Sequence, residues 1–396
     1  MNLSDQIDAK KLKYVPASYM KSGWTLLVIG IILSIVSFLV NMRHASFGFI
    51  MTLTFVASIG IGSLFWVGVE YVSSATWSTA LRRPFEFVAG VIPFLLLLAI
   101  PLVLNIREVF EWTHKSLYKD NPLLLLKAPY LNIPFFLVRT VVVFLVWWLF
   151  YYLITRNSRK QDTSGDQRLT TKNIKLSAGF IVVYGFTITI FAVDWLMSLT
   201  PDWFSTIFGV YLFAGSALSS MAFATILIVK LNEKNLFPVK LSPDHYYNLG
   251  TFLFAFVNFW AYIGFSQFML QWYGNLREET LWYIPRMHGG WAVISIVLVL
   301  THFVVPFFAL ITKPAKMNPG RLVFISVWLL AAHAIDIYWM VMPAFSSDHV
   351  VFAFSEIAFI TLSIGILMTV FAYKAKGNNM VPIGDPKLQR GLEFHI

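Results

Sequence analysis

Cysteine is absent from this chain of 396 residues. Without thiolates, the chain forms no disulfide and supplies no cysteine ligands to iron–sulfur clusters or zinc. Charged residues are scarce as well, at 13%, while 58% of the residues are hydrophobic and the mean hydropathy is +0.69. Because a soluble domain carries about 25% charged residues, this composition predicts an all-α integral membrane protein, whose helices satisfy their own backbone hydrogen bonds at membrane depth.

The motifs of soluble enzymes are also missing. The chain has no Walker, dinucleotide-binding or zincin motif and no arrangement of a nucleophile beside a base. The net charge of +10 would suit a nucleic-acid-binding protein, but lysines and arginines in the loops of a membrane protein set its topology and meet anionic lipids. We therefore expect membrane lipids, and no nucleic acid, among the partners.

Ten apolar stretches are long enough to cross a membrane as helices. They predict one membrane domain, 22–373, between an N-terminal segment, 1–21, and a C-terminal tail, 374–396. The first stretch is long and lacks an A-x-A-like cleavage site, which predicts a retained helix and not a signal peptide. The predicted spans are 22–40, 47–72, 85–104, 131–154, 175–199, 203–231, 246–273, 288–311, 321–342 and 349–373.

The basic residues predict the orientation of these spans. The two termini and the loops on their side of the membrane hold 22 of the 30 lysines and arginines. The loops on the other side hold 7, and Arg139 lies inside the fourth span. Short loops with an excess of lysine and arginine stay in the cytoplasm. Both termini are therefore predicted to be cytoplasmic.

Three longer segments outside the spans carry separate predictions. Segment 155–175 is polar and basic, which predicts a flexible connector. Segment 105–130 mixes charges, aromatic residues and a leucine run, and is expected either to lie in the membrane interface or to dock a partner. The last twenty residues, 377–396, are expected to become ordered only against another subunit, if at all.

A weak internal repeat suggests how the spans are grouped. Asp194 is followed by Pro201 and Asp336 by Pro343, with the same spacing and direction. Small residues recur in the second and sixth spans, where they let helices approach closely. The repeat predicts two four-helix bundles, spans two to five and six to nine, with two flanking helices. Chance matching of apolar helices is the competing explanation.

The ninth span carries two ionisable side chains at membrane depth. Asp336 lies roughly 22 Å along the helix from Arg321 at ~1.5 Å per residue, and His333, three residues away, shares its face. An ionisable group in the membrane is costly and usually faces a partner, a bundle interior or a water path. A proton relay and a structural hydrogen bond between packed helices are equally open interpretations here.

Other polar residues extend this pair to a possible proton path. Arg139 is expected either to reach the outer surface with its charged end or to pair with Asp194, Asp336 or Glu356. Chains of Asp, Glu and His carry protons in membrane proteins, and histidine suits the role because it titrates near neutrality. The candidate path comprises Asp336, His333, Asp194, His302, Glu356, Arg139, Glu70 and Glu86.

Glu70 and Glu86 lie near the predicted inner ends of their spans, beside Arg82 and Arg83. An interfacial salt-bridge cluster is favoured for them over an entry point for protons. The relay is also not continuous in the sequence, because neighbouring helices are unknown and waters would have to bridge the gaps.

A haem is the alternative explanation for the deep histidines. His302 and His333 lie at mid-depth on consecutive spans, and bis-histidine ligation needs one facing pair of this kind. Trp328 and Leu329 crowd the ninth span, whereas a haem pocket favours small residues. We therefore expect no redox centre or metal bound by this chain alone, and no catalytic residue in it.

Five blocks of the sequence resemble a known family. They resemble the second quinone-type membrane subunit, the F subunit, of bacterial alternative complex III, which is similar to the NrfD-like membrane subunits of polysulfide reductase. The tryptophan-rich blocks are specific, and the apolar helices between them are not. The blocks are KAPYLNIPFFLVR (127–139), DWLMSLTPDWFSTIFGVYLFAGS (194–216), FAFVNFWAYIGFSQFMLQWYGNLREET (254–280), MHGGW (287–291) and DIYWMVMP (336–343).

The resemblance implies a multi-pass protein of the bacterial inner membrane, with two four-helix bundles and two flanking helices. It implies a respiratory quinol:electron-acceptor oxidoreductase complex in which this chain is a non-catalytic or accessory subunit. The implied partners are a related C-type membrane subunit, multihaem cytochromes c, an iron–sulfur subunit, small helical subunits and a terminal oxidase. Quinone, c-type haems and iron–sulfur clusters would then reside in or beside those partners, and no residue here demonstrates quinone binding.

Three functions follow as hypotheses. The first is a subunit that provides a proton-conducting path and docks the redox subunits. The second is a scaffold of the same complex that conducts nothing. The third is a free-standing secondary transporter, which would purify without cytochromes.

Overall fold

The computed structural model describes residues 6–119 and 121–395, which are all-helical, with 79% helix and no strands. One isolated β-bridge joins Ile7 to Val239. Among the described residues, ten helices are long and apolar enough to cross a membrane, so the chain is a multi-pass membrane protein. They are α1 (Ala17–Val40), α2 (Met42–Ser73), α3 (Thr79–Leu104), α4 (Ile133–Ser164), α5 (Arg168–Leu199), α6 (Phe208–Glu233), α7 (Pro243–Gly274), α8 (Gly289–Leu310), α9 (Pro319–Ala344) and α10 (Phe354–Ala375).

Helices α2 and α6 form the centre of the molecule. Within a continuous apolar stretch of 18 residues in each helix, 94% of the residues are buried in α2 and 89% in α6, compared with 22% in α1 and in α8. The two central helices touch through backbone, because a Cβ on Gly62 would lie 2.4 Å from the carbonyl oxygen of Ser216. Small residues at this contact therefore allow the close approach that the sequence pattern predicted.

Helices α1 and α10 pack closely against each other. A Cβ on Gly30 would lie 2.5 Å from the Cα atom of Leu362, and one on Gly365 would lie 2.4 Å from the backbone nitrogen of Leu27. The outward face of α1 is exposed along most of its length. This arrangement suits an edge helix that faces lipid.

The prediction of a flexible connector at 155–175 is wrong, since α4 and α5 both extend through most of it. Polar pairs between the two extensions stabilise them: Asn157 Nδ2 donates to Asn173 Oδ1 at 2.9 Å, and Gln161 Nε2 donates to Thr170 Oγ1 at 2.7 Å. Only 165–167 separate the helices, and Gly165 ends α4 with a φ of 63°. The segment contains no proline or glycine before Gly165, so the helix can continue up to that residue. Its polar side chains pair between the two helices, and they therefore do not indicate disorder.

The prediction for the C-terminal tail is also wrong, because most of it packs on this chain. The backbone N–H of Met380 donates to the carbonyl of Leu12 at 2.8 Å, and Met380 and Val381 are buried. A Cβ on Gly384 would lie 2.0 Å from the carbonyl oxygen of Gln161. The tail and the N-terminal segment thus meet on one side of the molecule, which we call the terminal side.

The long segment between α3 and α4 lies on the opposite side and folds onto the chain itself. Trp112 is buried, and Asn121 Nδ2 donates to Asp202 Oδ1 at 2.6 Å. The ammonium of Lys127 donates to the carbonyl of Pro201, and burial lowers the pKa of Lys127. These contacts hold the segment against the loop that follows α5.

Candidate functional site

Three ionisable side chains meet at the centre of the membrane domain. One ligating atom from each of His302, His333 and Asp336 lies within 4.8 Å of the other two. All three residues are at most 1% exposed. His333 and Asp336 share one face of α9, as predicted from their spacing, and His302 projects from α8. We call this group the central cluster.

His302 reaches the cluster from an irregular turn of α8. Residues Leu300–Val304 form a π-helical turn, and Pro306 follows it. Proline lacks the N–H that would bond the carbonyl of His302 four residues earlier, which disturbs the regular helix at this point. In the same turn, the carbonyl of Thr301 accepts a hydrogen bond from Trp328 Nε1 at 2.7 Å. Turns of this type are frequent at functional sites.

The carboxylate of Asp336 is held by two neutral donors from other helices. The hydroxyl of Tyr211, on α6, donates to Oδ1 at 2.5 Å, and Trp260 Nε1, on α7, donates to Oδ2 at 3.0 Å. Within the described residues, no lysine or arginine forms an ion pair with Asp336. The negative charge of an ionised Asp336 is therefore stabilised by hydrogen bonds and not cancelled by a cation.

The two imidazoles present unpartnered nitrogens to this carboxylate. His333 Nε2 lies 2.9 Å from Ser58 Oγ, and that hydroxyl also lies 2.9 Å from the carbonyl oxygen of Phe55. Because a serine has one hydroxyl hydrogen, donation to Phe55 leaves Ser58 to accept from His333, so that Nδ1 of His333 carries the lone pair. Among the described groups, His333 Nδ1 and both ring nitrogens of His302 have no hydrogen-bond partner.

Unpartnered buried nitrogens are costly, at about 1–3 kcal/mol each. Buried polar groups of this kind are usually satisfied by ordered water. Gly215 lies close against them: a Cβ there would be crowded, at 3.0 Å from Cε1 of His333 and 3.8 Å from Oδ2 of Asp336, so glycine alone leaves this position free of a side chain. The indole of Trp260 covers the opposite part of the cluster and stacks on His302 at 3.8 Å.

A line of hydroxyl groups approaches the central cluster along the contact between α2 and α6. Tyr184 Oη lies 3.3 Å from Ser216 Oγ, and Ser216 Oγ donates to the carbonyl of Ser58 at 2.6 Å. The side chain of Ser58 then reaches His333. Ser58 belongs to the small-residue pattern, which the sequence reasoning assigned to packing alone.

Arg139 and Asp194 form a separate ion pair, in which the two charges compensate each other. Arg139 Nε and the Nη2 atom donate to the two carboxylate oxygens at 2.8 and 2.9 Å, and Nη1 donates to the carbonyl of Tyr130 at 2.9 Å. The guanidinium also stacks on the ring of Tyr130 at 3.8 Å. Burial, helped by the charge of Asp194, raises the pKa of Tyr130 to about 12. Arg139 thus pairs with the first of the three acids considered for it and does not reach out to the surface.

Glu356 pairs with a residue that the sequence reasoning missed. Its Oε1 lies 2.8 Å from His44 Nε2, and its Oε2 accepts from the backbone N–H of Ala353 at 2.7 Å. His44 lies near the start of α2 and is 6% exposed. The sequence signal was weak, because His44 follows Arg43 in the predicted loop between the first two spans and not at mid-depth.

Glu70 and Glu86 belong to a dense ion-pair cluster at the terminal side. Arg82 pairs with Glu70 at 2.9 Å and with Asp385 at 2.7 Å. Arg83 pairs with Glu86 at 2.8 Å, and Arg82 reaches Glu86 at 3.4 Å. This geometry favours the salt-bridge interpretation of the two glutamates.

Two acids of this cluster come from segments expected to be flexible. Asp162, at the end of α4, accepts from Arg83 at 2.6 Å, and Asp385 lies in the C-terminal tail. Burying two arginines requires carboxylates nearby. The ion pairs therefore explain why both segments are ordered.

Arg286 is a further buried guanidinium, on the side opposite the termini. Its Nε and Nη2 atoms donate to the carbonyls of Trp339 and Met340 at 3.2 and 3.0 Å, and its plane stacks on Trp282 at 3.6 Å. Burial lowers the pKa of Arg286 to about 9, which leaves it charged at neutral pH. It thus binds the carbonyls at the end of α9 and stabilises that end.

The central cluster has the residue types of a metal site, since two histidines and a carboxylate suit several transition metals. Both carboxylate oxygens already accept hydrogen bonds from Tyr211 and Trp260. A divalent ion with a single carboxylate would also leave a net positive charge inside the hydrocarbon. Trp260, stacked on His302, fills the face that a porphyrin would need. The arrangement therefore suits proton exchange better than metal or haem ligation.

Asp336 and three residues that surround the central cluster come from three of the blocks that carry the family resemblance. Tyr211 and Gly215 belong to block 194–216, Trp260 to block 254–280 and Asp336 to block 336–343. The specific blocks thus surround one buried acid. No family model matches this chain, and no curated protein matches it.

Proposed function

We propose that this chain is the F-type membrane subunit of a respiratory quinol:acceptor oxidoreductase complex of the alternative complex III type, and that it carries protons through the central cluster. The observation that carries the proposal is a buried carboxylate, Asp336, which among the described residues is held by neutral donors alone and lies beside imidazole nitrogens without partners. A group in this state can gain or lose a proton without breaking an ion pair. Asp, Glu and His in such positions mark proton relays in membrane proteins.

The proton step uses atoms of this chain and neighbouring water. A protonated Asp336 gives its proton toward Nδ1 of His333, His333 passes its Nε2 proton to Ser58 Oγ, and the Ser58 hydroxyl releases its own hydrogen to a neighbouring water. His302, 6.5 Å from His333 between ring centroids, offers a second acceptor on the other side. A histidine can take a proton on one nitrogen and release one from the other, which makes it a proton shuttle near neutral pH.

The membrane topology completes the proposal. Both termini face the cytoplasm, because the basic loops lie on the terminal side. Helices α2–α5 and α6–α9 form two bundles, and α1 and α10 flank them. The equal spacing of Asp194–Pro201 and Asp336–Pro343 supports this grouping, as does the close packing of α1 on α10.

The redox chemistry belongs to partners in this proposal. They are a related C-type membrane subunit, multihaem cytochrome c and iron–sulfur subunits, small helical subunits and a terminal oxidase, in the bacterial inner membrane. Quinol is oxidised in or beside those subunits, and this chain has no cysteine with which to bind an iron–sulfur cluster itself. The family resemblance supports these partners.

The test is Asp336→Asn in the assembled complex, reconstituted into vesicles. The substitution keeps the shape and the hydrogen-bond acceptor but cannot carry the proton. Quinol:acceptor turnover or proton release should fall at least severalfold, while the cytochromes still co-purify. Asp348→Asn, at an exposed acid whose side chain accepts from Ser347 at 3.0 Å, is the matched control and should change neither quantity.

A purely structural subunit is the second candidate. The compensated pair of Arg139 and Asp194 and the ion-pair cluster at the terminal side favour it, because both hold helices together without a free charge. Unchanged turnover and proton release in Asp336→Asn would support this candidate. Purification of the chain without any cytochrome would instead support a free-standing transporter.

A further inference from the structure

A long groove runs along the surface of α9 and α10. It has a volume of about 1020 Å³ and is lined by side chains of α1, α2, α6, α8, α9 and α10. Its wall is apolar along most of its length. Polar side chains occur at its two ends, with Lys230 and Lys234 at the terminal side and Tyr338 and Glu356 at the opposite side.

The length of the groove fits an extended hydrocarbon chain. Glu356 and Met368 both line it, and twelve residues of helix separate them by ~18 Å. That distance exceeds half of a hydrocarbon layer about 30 Å thick. A single chain that enters at the terminal side would therefore lie along α10 past the middle of the membrane.

The end of the groove at the terminal side, which we call its mouth, is positively charged. Among the described residues, no carboxylate lies within ion-pair distance of Lys234, and its ammonium lies 5.1 Å from the ring centre of Tyr19. Lys230 pairs with Glu233 at 2.8 Å, but that pair is exposed to solvent, at 44% and 38%. An exposed pair of this kind contributes little and can exchange partners. The other polar lining residues at this mouth, Ser18 and Ser22, are uncharged donors.

We propose that this groove binds one anionic phospholipid, with the headgroup phosphate at Lys230 and Lys234 and an acyl chain along α9 and α10. Basic pockets between membrane helices on the cytoplasmic side select anionic headgroups. The positively charged mouth matches the headgroup of an anionic lipid, and the apolar wall matches its acyl chain.

The site is independent of the central cluster. Ala334, Ile335 and Tyr338 line the groove. His333 points from α9 toward α2 and α6, and Asp336 points toward α6 and α7. The lipid would therefore cover the membrane-facing side of α9 and stabilise the helix that carries the cluster. Loss of proton transfer in Asp336→Asn would neither support nor weaken this site.

The first test compares two headgroups on the purified chain with its co-purifying subunits. After delipidation in detergent, phosphatidylglycerol and phosphatidylcholine with identical acyl chains are added, and the thermal unfolding midpoint is followed. Phosphatidylglycerol should raise the midpoint about twice as much as phosphatidylcholine, because a ligand that binds only the folded state stabilises it. Equal shifts for the two lipids would overturn the proposal.

The second test removes the charges of the mouth. Lys230→Gln combined with Lys234→Gln should abolish the preference for phosphatidylglycerol. The matched control, Lys172→Gln with Lys175→Gln, changes two exposed lysines of α5 at the same side and should keep the preference. Identical behaviour of the two double variants would contradict the assignment of the headgroup site.

The third test fills the groove. Ala331→Phe places a ring against the apolar wall and should reduce the anionic phospholipid that native mass spectrometry finds retained, with the lysines intact. Retention at the level of the unchanged protein would overturn the placement of the acyl chain. Recovery of a quinone, or of a partner's helix seated in the groove, in place of a phospholipid would overturn the choice of ligand.

Discussion

Asp194 and Asp336 are two buried aspartates at matching positions, each seven residues before a proline, yet their surroundings differ. Asp194 accepts two hydrogen bonds from a guanidinium, whereas Asp336 accepts one from a phenol and one from an indole. A proton arriving at Asp194 would break an ion pair, and a proton arriving at Asp336 would not. The comparison indicates that the first acid holds helices together and the second can exchange protons.

The largest expected effect comes from breaking the compensated pair. Arg139→Leu leaves Asp194 buried without its cation, which should lower the free energy of unfolding by about 3–5 kcal/mol. The yield of folded protein in detergent and its thermal midpoint measure this. Arg107→Leu, at an exposed arginine, is the control and should stay within about 0.5 kcal/mol of the unchanged chain.

A double variant sharpens the same point. Arg139→Leu with Asp194→Leu removes both charges and should recover much of the lost stability, because an apolar pair has no uncompensated charge. A double variant as unstable as Arg139→Leu alone would show that Asp194 is not the group left unpaired.

An intermediate effect is expected at the serine beside His333. Ser58→Ala leaves His333 Nε2 without a partner, which should cost about 1–3 kcal/mol and slow proton release. Ser63→Ala is the matched control, since Ser63 donates only to the carbonyl of Ile59 in its own helix, at 2.7 Å. Equal thermal midpoints and equal proton release in the two variants would remove Ser58 from the path.

The smallest change in stability is expected at Gly215. In Gly215→Ala, the new methyl group would lie 3.2 Å from His333 Nδ1 and occupy the space beside the unpartnered nitrogens, so proton release should fall severalfold while stability changes by only about 1 kcal/mol. The control is Gly179→Ala in α5, which has no heavy atom within 4 Å of the added Cβ. That control should be neutral or more stable by about 0.5–1 kcal/mol. Proton release at the level of the control would contradict the role given to this space.

The spans were predictable because ten long apolar runs leave few alternatives at membrane depth. The grouping of His333 with Asp336 was predictable too, since residues three apart share a helix face. The contributions of Tyr211, Trp260 and Ser58 could not be predicted, because each residue reaches the cluster from another helix. The sequence does not show which helices are neighbours. The hydroxyl donors also looked like ordinary members of apolar or small-residue stretches.

The terminal side was predicted least well. Polarity in 155–175 and in the tail suggested disorder, but Asp162 and Asp385 neutralise Arg83 and Arg82 in the folded chain. No pattern in the sequence indicates that these distant residues meet. A segment that appears solvated in isolation can thus be ordered by a buried cation supplied from another helix.

The most direct test of the central claim is infrared difference spectroscopy of the assembled complex during turnover. A carboxyl group that gains or loses a proton changes the band of its protonated C=O. The account predicts such a band in the unchanged complex, its loss in Asp336→Asn and its persistence in Asp348→Asn. A band that persists unchanged in Asp336→Asn would contradict the account.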